Sequence, residues 1–120
     1  MTPNEYQKAA SRTCLPNYEK FIDISVRPME QHIIHAHMGI SSEAGEIGDC
    51  IKKHFIYGQH LDTVNLIEEC GDILWYVSLM VSACGSTMEQ VMEINIEKLK
   101  KRYPEKFTEQ DALERKDKIL

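Results

Sequence analysis

Two pairs of acidic residues have the types and the spacing needed to bind a divalent cation. The stretch SSEAGEIGDC places Glu43 three residues before Glu46, and the stretch EECGDILWY places Glu69 three residues before Asp72. Residues three apart on a helix are surface neighbours, so each pair would direct its two carboxylates the same way. Apolar residues recur around both pairs with a helical period, which puts the carboxylates beside faces that should be packed.

A helical hairpin would bring the two pairs to the same level. Glu46 lies eight residues before His54, where one helix is predicted to end, and Glu69 lies seven residues after Asp62, where the next is predicted to begin. At about 1.5 Å per residue, these positions are roughly 12 Å and 10 Å from the turn. In an antiparallel hairpin the four carboxylates would therefore converge.

Four unpaired carboxylates on a packed face would be very costly, so a positive group should lie among them. Lysines are scarce in this part of the chain, which favours a divalent cation. Ligation by oxygen alone favours Mg²⁺, with Mn²⁺ as a substitute. The alternative is a set of acidic residues on helix surfaces that bind no metal.

The hydrophobic periodicity predicts an all-α fold, a bundle of four main helices with short N- and C-terminal helical extensions. Predicted N-caps are Asn4, Asp62, Thr87 and Thr108, and Gly85 should follow the end of the third helix. Residues 15–28, with Pro16 and Pro28, should form an irregular connection. The predicted helices span about residues 4–14, 29–54, 62–84 and 87–103, with a short charged helix after residue 108.

Length and composition are those of one globular domain over residues 1–120, with its core over about 29–108. The net charge of −5 argues against a generic nucleic-acid binder. No apolar run approaches the roughly 18 to 20 residues of a membrane span, and the N-terminus lacks the features of a secretory signal. The four cysteines form no CxxC pair, and we expect reduced, mostly buried thiols in a cytoplasmic protein.

The fourth predicted helix carries polar groups on its apolar face. Asn95 lies within the stripe formed by Met88, Val91, Met92 and Leu99, and Lys98 and Arg102 lie close to it by helical angle. An anion held by the metal, with phosphate as the obvious candidate, would give these groups partners. The alternative is that the two cations extend to solvent and Asn95 bonds a neighbouring helix.

The histidine and aromatic residues give weaker signals. His32 and His35 share a helix face but His37 points away, so we expect partner-bonded or surface histidines rather than a metal site. Trp75 and Tyr76 are interpreted as core or interface aromatics rather than as a platform for base stacking. Tyr76, one turn after Asp72, is the better ligand candidate, and we assign nucleoside contacts to Tyr76 and His37.

Three stretches together resemble a known family: SEAGEIGD, IEECGDILWY and NIEKLKKRYPEKFT. They are similar to the MazG-like all-α nucleoside triphosphate pyrophosphohydrolases, especially the compact single-domain forms of phages and bacteria. The resemblance covers about residues 29–108, and residues 1–28 match no pattern of that family.

The resemblance implies hydrolysis of (deoxy)nucleoside triphosphates between the α and β phosphates, to a monophosphate and pyrophosphate, as a clean-up of the nucleotide pool. It implies homodimers or homotetramers with active sites beside the interface, in the cytoplasm of a bacterium or of a phage's host. Ser41 and Ser42 stand where such proteins often carry another carboxylate. Family positions match the Mg²⁺ ligands Glu43, Glu46, Glu69 and Asp72 and, near the phosphates, Asn95, Lys98 and Arg102.

Several interpretations stay open from the sequence. Phosphoryl transfer requires an aligned water and a proton acceptor, and Glu46, Glu68 and Asp49 are equally suitable candidates. A ferritin-like di-metal protein is disfavoured because no Glu-x-x-His pair occurs in the predicted core helices. A non-enzymatic helical interaction or assembly module and a hydrolase of a regulatory nucleotide are the remaining alternatives. Base and sugar preference has no marker in the sequence.

Overall fold

The computed structural model describes residues 1–23 and 25–118, and it confirms the all-α fold class. The irregular connection predicted over residues 15–28 is found as turns and bends over the described residues 12–23 and 25–27, and Ile24 within it lies outside the described residues. The described residues contain no strand. The helices are α1 (Pro3–Ser11), α2 (Pro28–Phe55), α3 (Thr63–Ala83), α4 (Met88–Arg102) and α5 (Glu109–Glu114), followed by a 3₁₀ turn (Lys116–Lys118).

Helices α2 and α3 form an antiparallel hairpin, as predicted. Near the turn, the Cys50 Sγ lies 3.6 Å from the Asp62 carbonyl oxygen. Farther from the turn, Gly39 lies directly against the ring of Tyr76. Residues early in α2 therefore meet residues late in α3, which fixes the antiparallel register. The hairpin buries Ala36, Cys50, Leu79 and Val81.

Three of the four predicted N-caps are confirmed. Asp62, Thr87 and Thr108 each accept a hydrogen bond from the backbone N–H three residues later, at 3.0–3.2 Å. Each bond satisfies a donor that the first helical turn leaves unpaired. Gly85 follows α3 with a φ of +72°, a conformation that favours glycine.

The predicted cap of the first helix was wrong. Thr2, not Asn4, caps α1 in a reciprocal capping box with Glu5, and the helix ends at Ser11 rather than at Cys14. Asn4 instead lies inside α1, and its amide bonds the backbone N–H and the carboxylate of Glu89 on α4. The sequence signal for a cap was real, but a competing Thr-x-x-Glu pattern begins two residues earlier.

Helix α1 is fixed against the junction between α3 and α4. The Gln7 amide donates to the Ser82 hydroxyl at 2.9 Å and to the Ser86 carbonyl at 3.1 Å. Its oxygen accepts from the Met88 N–H at 2.8 Å, which satisfies a donor in the first turn of α4. These polar contacts anchor the N-terminal segment to the end of the hairpin that lies away from its turn.

The segment between α1 and α2 is anchored by a buried tyrosine. The Tyr18 hydroxyl lies 3.0 Å from Nδ1 of His32 and 2.9 Å from Nδ1 of His35. A hydroxyl has one proton, so it donates to one of these nitrogens and accepts from the other. The interpretation of these two histidines as partner-bonded is confirmed.

More residues are exposed than the sequence predicted, both in the apolar stripe of α4 and among the cysteines. Of the predicted α4 stripe only Met88 is buried, and Val91, Met92 and Leu99 are exposed. The expectation of mostly buried thiols was also wrong, because all four cysteines are free but only Cys50 is buried. No helix in the described ranges is long and apolar enough to cross a membrane.

Replacing Gly39 by alanine should destabilise the hairpin. A Cβ at this position would overlap the ring carbons of Tyr76, so the Tyr76 ring or one of the two helices would have to shift. We expect a loss of about 1–3 kcal/mol in the free energy of unfolding, measured by denaturant titration. Gly48, on the same helix, faces open space and is the matched control, for which alanine should stabilise by about 0.5–1 kcal/mol. Equal effects of the two substitutions would contradict the close packing of α2 on Tyr76.

Candidate active site

The hairpin brings together three carboxylates from its two helices. Glu43 comes from α2, and Glu69 and Asp72 come from successive turns of α3. One oxygen of each lies within 4.8 Å of the others. Glu43 and Glu69 are half-buried and Asp72 is exposed, so the acidic triad has one side open to solvent.

Glu69 is the most constrained member of the triad. Its Oε2 is buried and has no hydrogen-bond partner among the described residues. The pKa of Glu69 is raised to about 7. The largest cause is a hydrogen bond with the Glu43 carboxyl, which favours the protonated form of Glu69. Burial and the negative charges of Glu43 and Asp72 raise the pKa further. A shared proton or a cation would relieve this repulsion.

The triad fits a small divalent cation. Octahedral Mg²⁺ binds oxygens at about 2.0–2.1 Å, so its ligand oxygens lie at most about 4.2 Å apart, which is compatible with three oxygens within 4.8 Å of one another. No lysine or arginine in the described ranges forms a salt bridge with the triad, so no side chain supplies the missing positive charge. An all-carboxylate donor set favours Mg²⁺ or Mn²⁺ over softer metals.

Glu46 is not part of the triad, although the sequence predicted four converging carboxylates. Its side chain is exposed, and its charge contributes only the last of the effects that raise the pKa of Glu69. It faces a neighbouring polar cavity of about 390 Å³ beside the turn of the hairpin. The cavity is also lined by Asp49, Cys50, Lys53, Gln59, His60, Asp62 and Asn65.

The other two candidate proton acceptors differ in their surroundings. Asp49 pairs with Lys53 at 2.9 Å and with Lys52 at 3.6 Å. The hydrogen bond and the charge of Lys53 lower the pKa of Asp49, which makes this carboxylate a weaker base. Glu68 is exposed on α3, next in sequence to Glu69.

A cleft of about 350 Å³ opens directly beside the triad. It is lined by Glu43, Asp72, Thr13, Trp75 and Tyr76. The Tyr76 ring lies edge-on to the ring of Trp75, with centroids 5.0 Å apart. Tyr76 therefore lies where the sequence placed it, next to the acidic residues.

His37, the other predicted nucleoside contact, is exposed and does not line this cleft. Thr13 was not among the predicted site residues, and Trp75, predicted to be a core or interface residue, is half-exposed and lines the cleft. Trp75 follows Asp72 by three residues, which is the helical spacing that could have identified it. Thr13 carried no signal, because it comes from a segment distant in sequence.

The three predicted phosphate-binding residues lie on α4, away from the lining of the cleft. Arg102 donates two hydrogen bonds of 2.9 Å to the buried carboxylate of Asp117, which raises the pKa of Arg102 and lowers that of Asp117. Lys98 lies in a shallow groove that Asp117 also lines, and Asn95 is exposed. No hydrogen bond or ion pair in the described part of the chain joins these residues to the triad. Their role stays a prediction.

Comparison with known proteins agrees with this geometry. The family model of the MazG nucleotide pyrophosphohydrolase domain matches residues 31–107, which include nearly all of α2, α3 and α4 and the whole acidic triad. No curated protein and no solved structure matches the chain. A match over more than half of the sequence establishes the family, so the chain belongs to the MazG nucleotide pyrophosphohydrolases.

Proposed function

We propose that this protein hydrolyses (deoxy)nucleoside triphosphates between the α and β phosphates, releasing a monophosphate and pyrophosphate with Mg²⁺ as cofactor. The acidic triad carries the proposal, since its buried, unpartnered oxygen and shared negative charge call for a cation. Clean-up of the nucleotide pool in the cytoplasm is the proposed role.

The assignment of residues 1–120 to one domain, with its core over 29–108, stays a prediction.

Glu43, Glu69 and Asp72 are the proposed Mg²⁺ ligands in this chain. A Mg²⁺ ion held by these three residues would supply charge neutralisation for the phosphates. Glu46 is the proposed acceptor of the water proton, because it lies beside the triad, is exposed and forms no ion pair among the described residues. Glu68 is the next candidate, and Asp49 is less suitable because Lys53 holds it.

A homodimer or homotetramer is part of the proposal. Ile94 and Ile96 are 66% and 50% exposed on α4, beside the exposed part of the apolar stripe. The radius of gyration is 17.9 Å, whereas a compact chain of this length should have about 14 Å. A second copy that covers α4 would bury this surface, and it would let Asn95 and Lys98 approach a site to which their own hairpin does not bring them.

Glu69→Gln and Asp72→Asn should each lower pyrophosphate release by about 10²-fold or more, because each removes a charge that holds the cation. The assay measures pyrophosphate and phosphate separately over a panel of nucleoside and deoxynucleoside triphosphates with Mg²⁺. Glu19→Gln, an exposed site in the connecting segment, is the matched control. Both site variants should stay folded by circular dichroism, since neutralisation relieves repulsion. Full activity in either variant would refute the assignment.

Metal-free protein should become less stable as the pH rises from about 5 to about 7. The pKa of Glu69 is about 7 in the folded state and near 4.5 when unperturbed, so between these values the folded state binds the extra proton. The melting temperature should therefore fall across this range in EDTA, and Mg²⁺ at pH 8 should raise it. Glu69→Gln should remove this part of the pH dependence. A wild-type melting temperature indifferent to Mg²⁺ at pH 8 would argue against a metal site.

Sedimentation should show an assembly larger than one chain. Ile94→Glu puts a charge on the exposed face of α4, and we expect it to shift the mass towards the monomer, since burying an unpaired charge is costly. Lys101→Glu is the matched control on the same helix, at a position already exposed and polar. A wild-type monomer at micromolar concentration would contradict the proposal.

A further inference from the structure

Part of the wall of the cleft beside the acidic residues is aromatic, and it includes the one tryptophan of the chain. Trp75 is half-exposed and lines the cleft beside Tyr76, three residues after Asp72 on α3. Three residues of helix correspond to about 4.5 Å along the axis. A ligand whose phosphates lie at the triad would therefore place its nucleoside against this wall.

The orientation of Trp75 is fixed by a residue that precedes the family match. The indole Nε1–H donates to the Thr13 hydroxyl at 2.9 Å, and that hydroxyl donates to the Ala10 carbonyl at 2.9 Å. The polar edge of the indole is thus satisfied within the protein. The rest of the half-exposed indole is apolar ring surface, a kind of surface that is suited to stacking.

A second contact joins the same N-terminal segment to the aromatic wall. Tyr18 bonds His35, whose ring lies edge-on to Tyr76 and to Trp75, with centroids 5.6 Å and 6.4 Å apart. The family match begins at residue 31, so both Thr13 and Tyr18 lie outside it. The segment before α2 therefore supports the wall at two points.

We propose that Trp75, oriented by Thr13, is the surface on which the nucleobase of the substrate stacks. Thr13 is a positioning residue, because its hydroxyl is engaged by Trp75 and Ala10. Stacking on an aromatic ring accepts any base, so this wall contributes affinity rather than base selectivity. A cleft of about 350 Å³ is within the range of small-ligand sites. The inference rests on the proposed function, because it assumes a nucleotide at the triad.

The fluorescence of the single tryptophan tests the inference directly. Deoxynucleoside monophosphates added with Mg²⁺ should quench or shift the Trp75 emission in a saturable manner. Tripolyphosphate with Mg²⁺, which has no base, should leave the emission unchanged at concentrations that compete with nucleotide. A change produced equally by tripolyphosphate would overturn the stacking assignment.

Steady-state kinetics give the second readout. Trp75→Leu should raise KM by roughly 5- to 100-fold, and Thr13→Val by roughly 3- to 10-fold, both with kcat unchanged, as expected for loss of uniform binding. Thr13→Ser keeps the hydroxyl and should restore the wild-type KM. Thr63→Val, at an exposed first position of α3, is the matched control for the loss of a hydroxyl. A KM in Thr13→Val and Trp75→Leu equal to that of the control would overturn the inference.

The inference and the proposed function fail in different ways. Pyrophosphate release without any response of Trp75 would retain the function and reject the stacking surface. A saturable response of Trp75 to nucleotides without pyrophosphate release would retain the binding surface and reject the hydrolysis. Absence of both would reject the inference together with the function.

Discussion

The mutual repulsion of Glu43, Glu69 and Asp72 is the constraint on which the rest of the structure depends. Like charges whose oxygens lie within 4.8 Å of one another destabilise the fold unless a proton or a cation lies between them. The hairpin must therefore supply enough contact energy to hold them in place. It does so on both sides of the triad, through the close approach of Gly39 to Tyr76 and the packing of Cys50 near the turn. Binding of a cation would turn this repulsion into attraction, so metal binding and the stability of the hairpin should be linked.

The hairpin alone buries few apolar residues, and hydrogen bonds and an ion pair between helices supplement this small core. The buried apolar residues in the described ranges are few and include Ala36, Leu79 and Met88. Gln7 and Asn4 join α1 to the start of α4 by hydrogen bonds, and Arg102 joins the end of α4 to the C-terminal 3₁₀ turn through Asp117. A buried, bidentate ion pair of this kind is costly to break, although it adds little net stability over an apolar contact. These contacts fix the ends of α4 and leave exposed apolar residues in its middle, which is the surface on which the proposed assembly rests.

Local rules predicted the helices well because their signals are contained within a few residues. The caps Asp62, Thr87 and Thr108 and the glycine after α3 follow from side-chain chemistry that acts over three or four positions. The one wrong cap arose where two such patterns overlap at the N-terminus. Helical spacing also predicted three of the converging carboxylates, because the level of a residue in a hairpin depends only on its distance from the turn. Three features could not be predicted in this way: the position of Glu46 outside the triad, the exposure of α4 and the presence of Thr13 in the cleft. They depend on long-range packing, for which a single sequence has no periodic signal.

The cleft is built by two parts of the chain, the α2–α3 hairpin and the segment before α2. The charged side comes from α2 and α3, where the hairpin holds one oxygen of each triad carboxylate within 4.8 Å of the others. The aromatic side also lies on α3, but its orientation is fixed from outside the family match, by Thr13 at the indole and by Tyr18 through His35. Phosphates are common to all nucleoside triphosphates, whereas bases and sugars differ. Thr13 and Tyr18 bond to side chains of the aromatic side and form no hydrogen bond with the acidic triad among the described residues, so a change at either would act first on the surface proposed for the nucleoside.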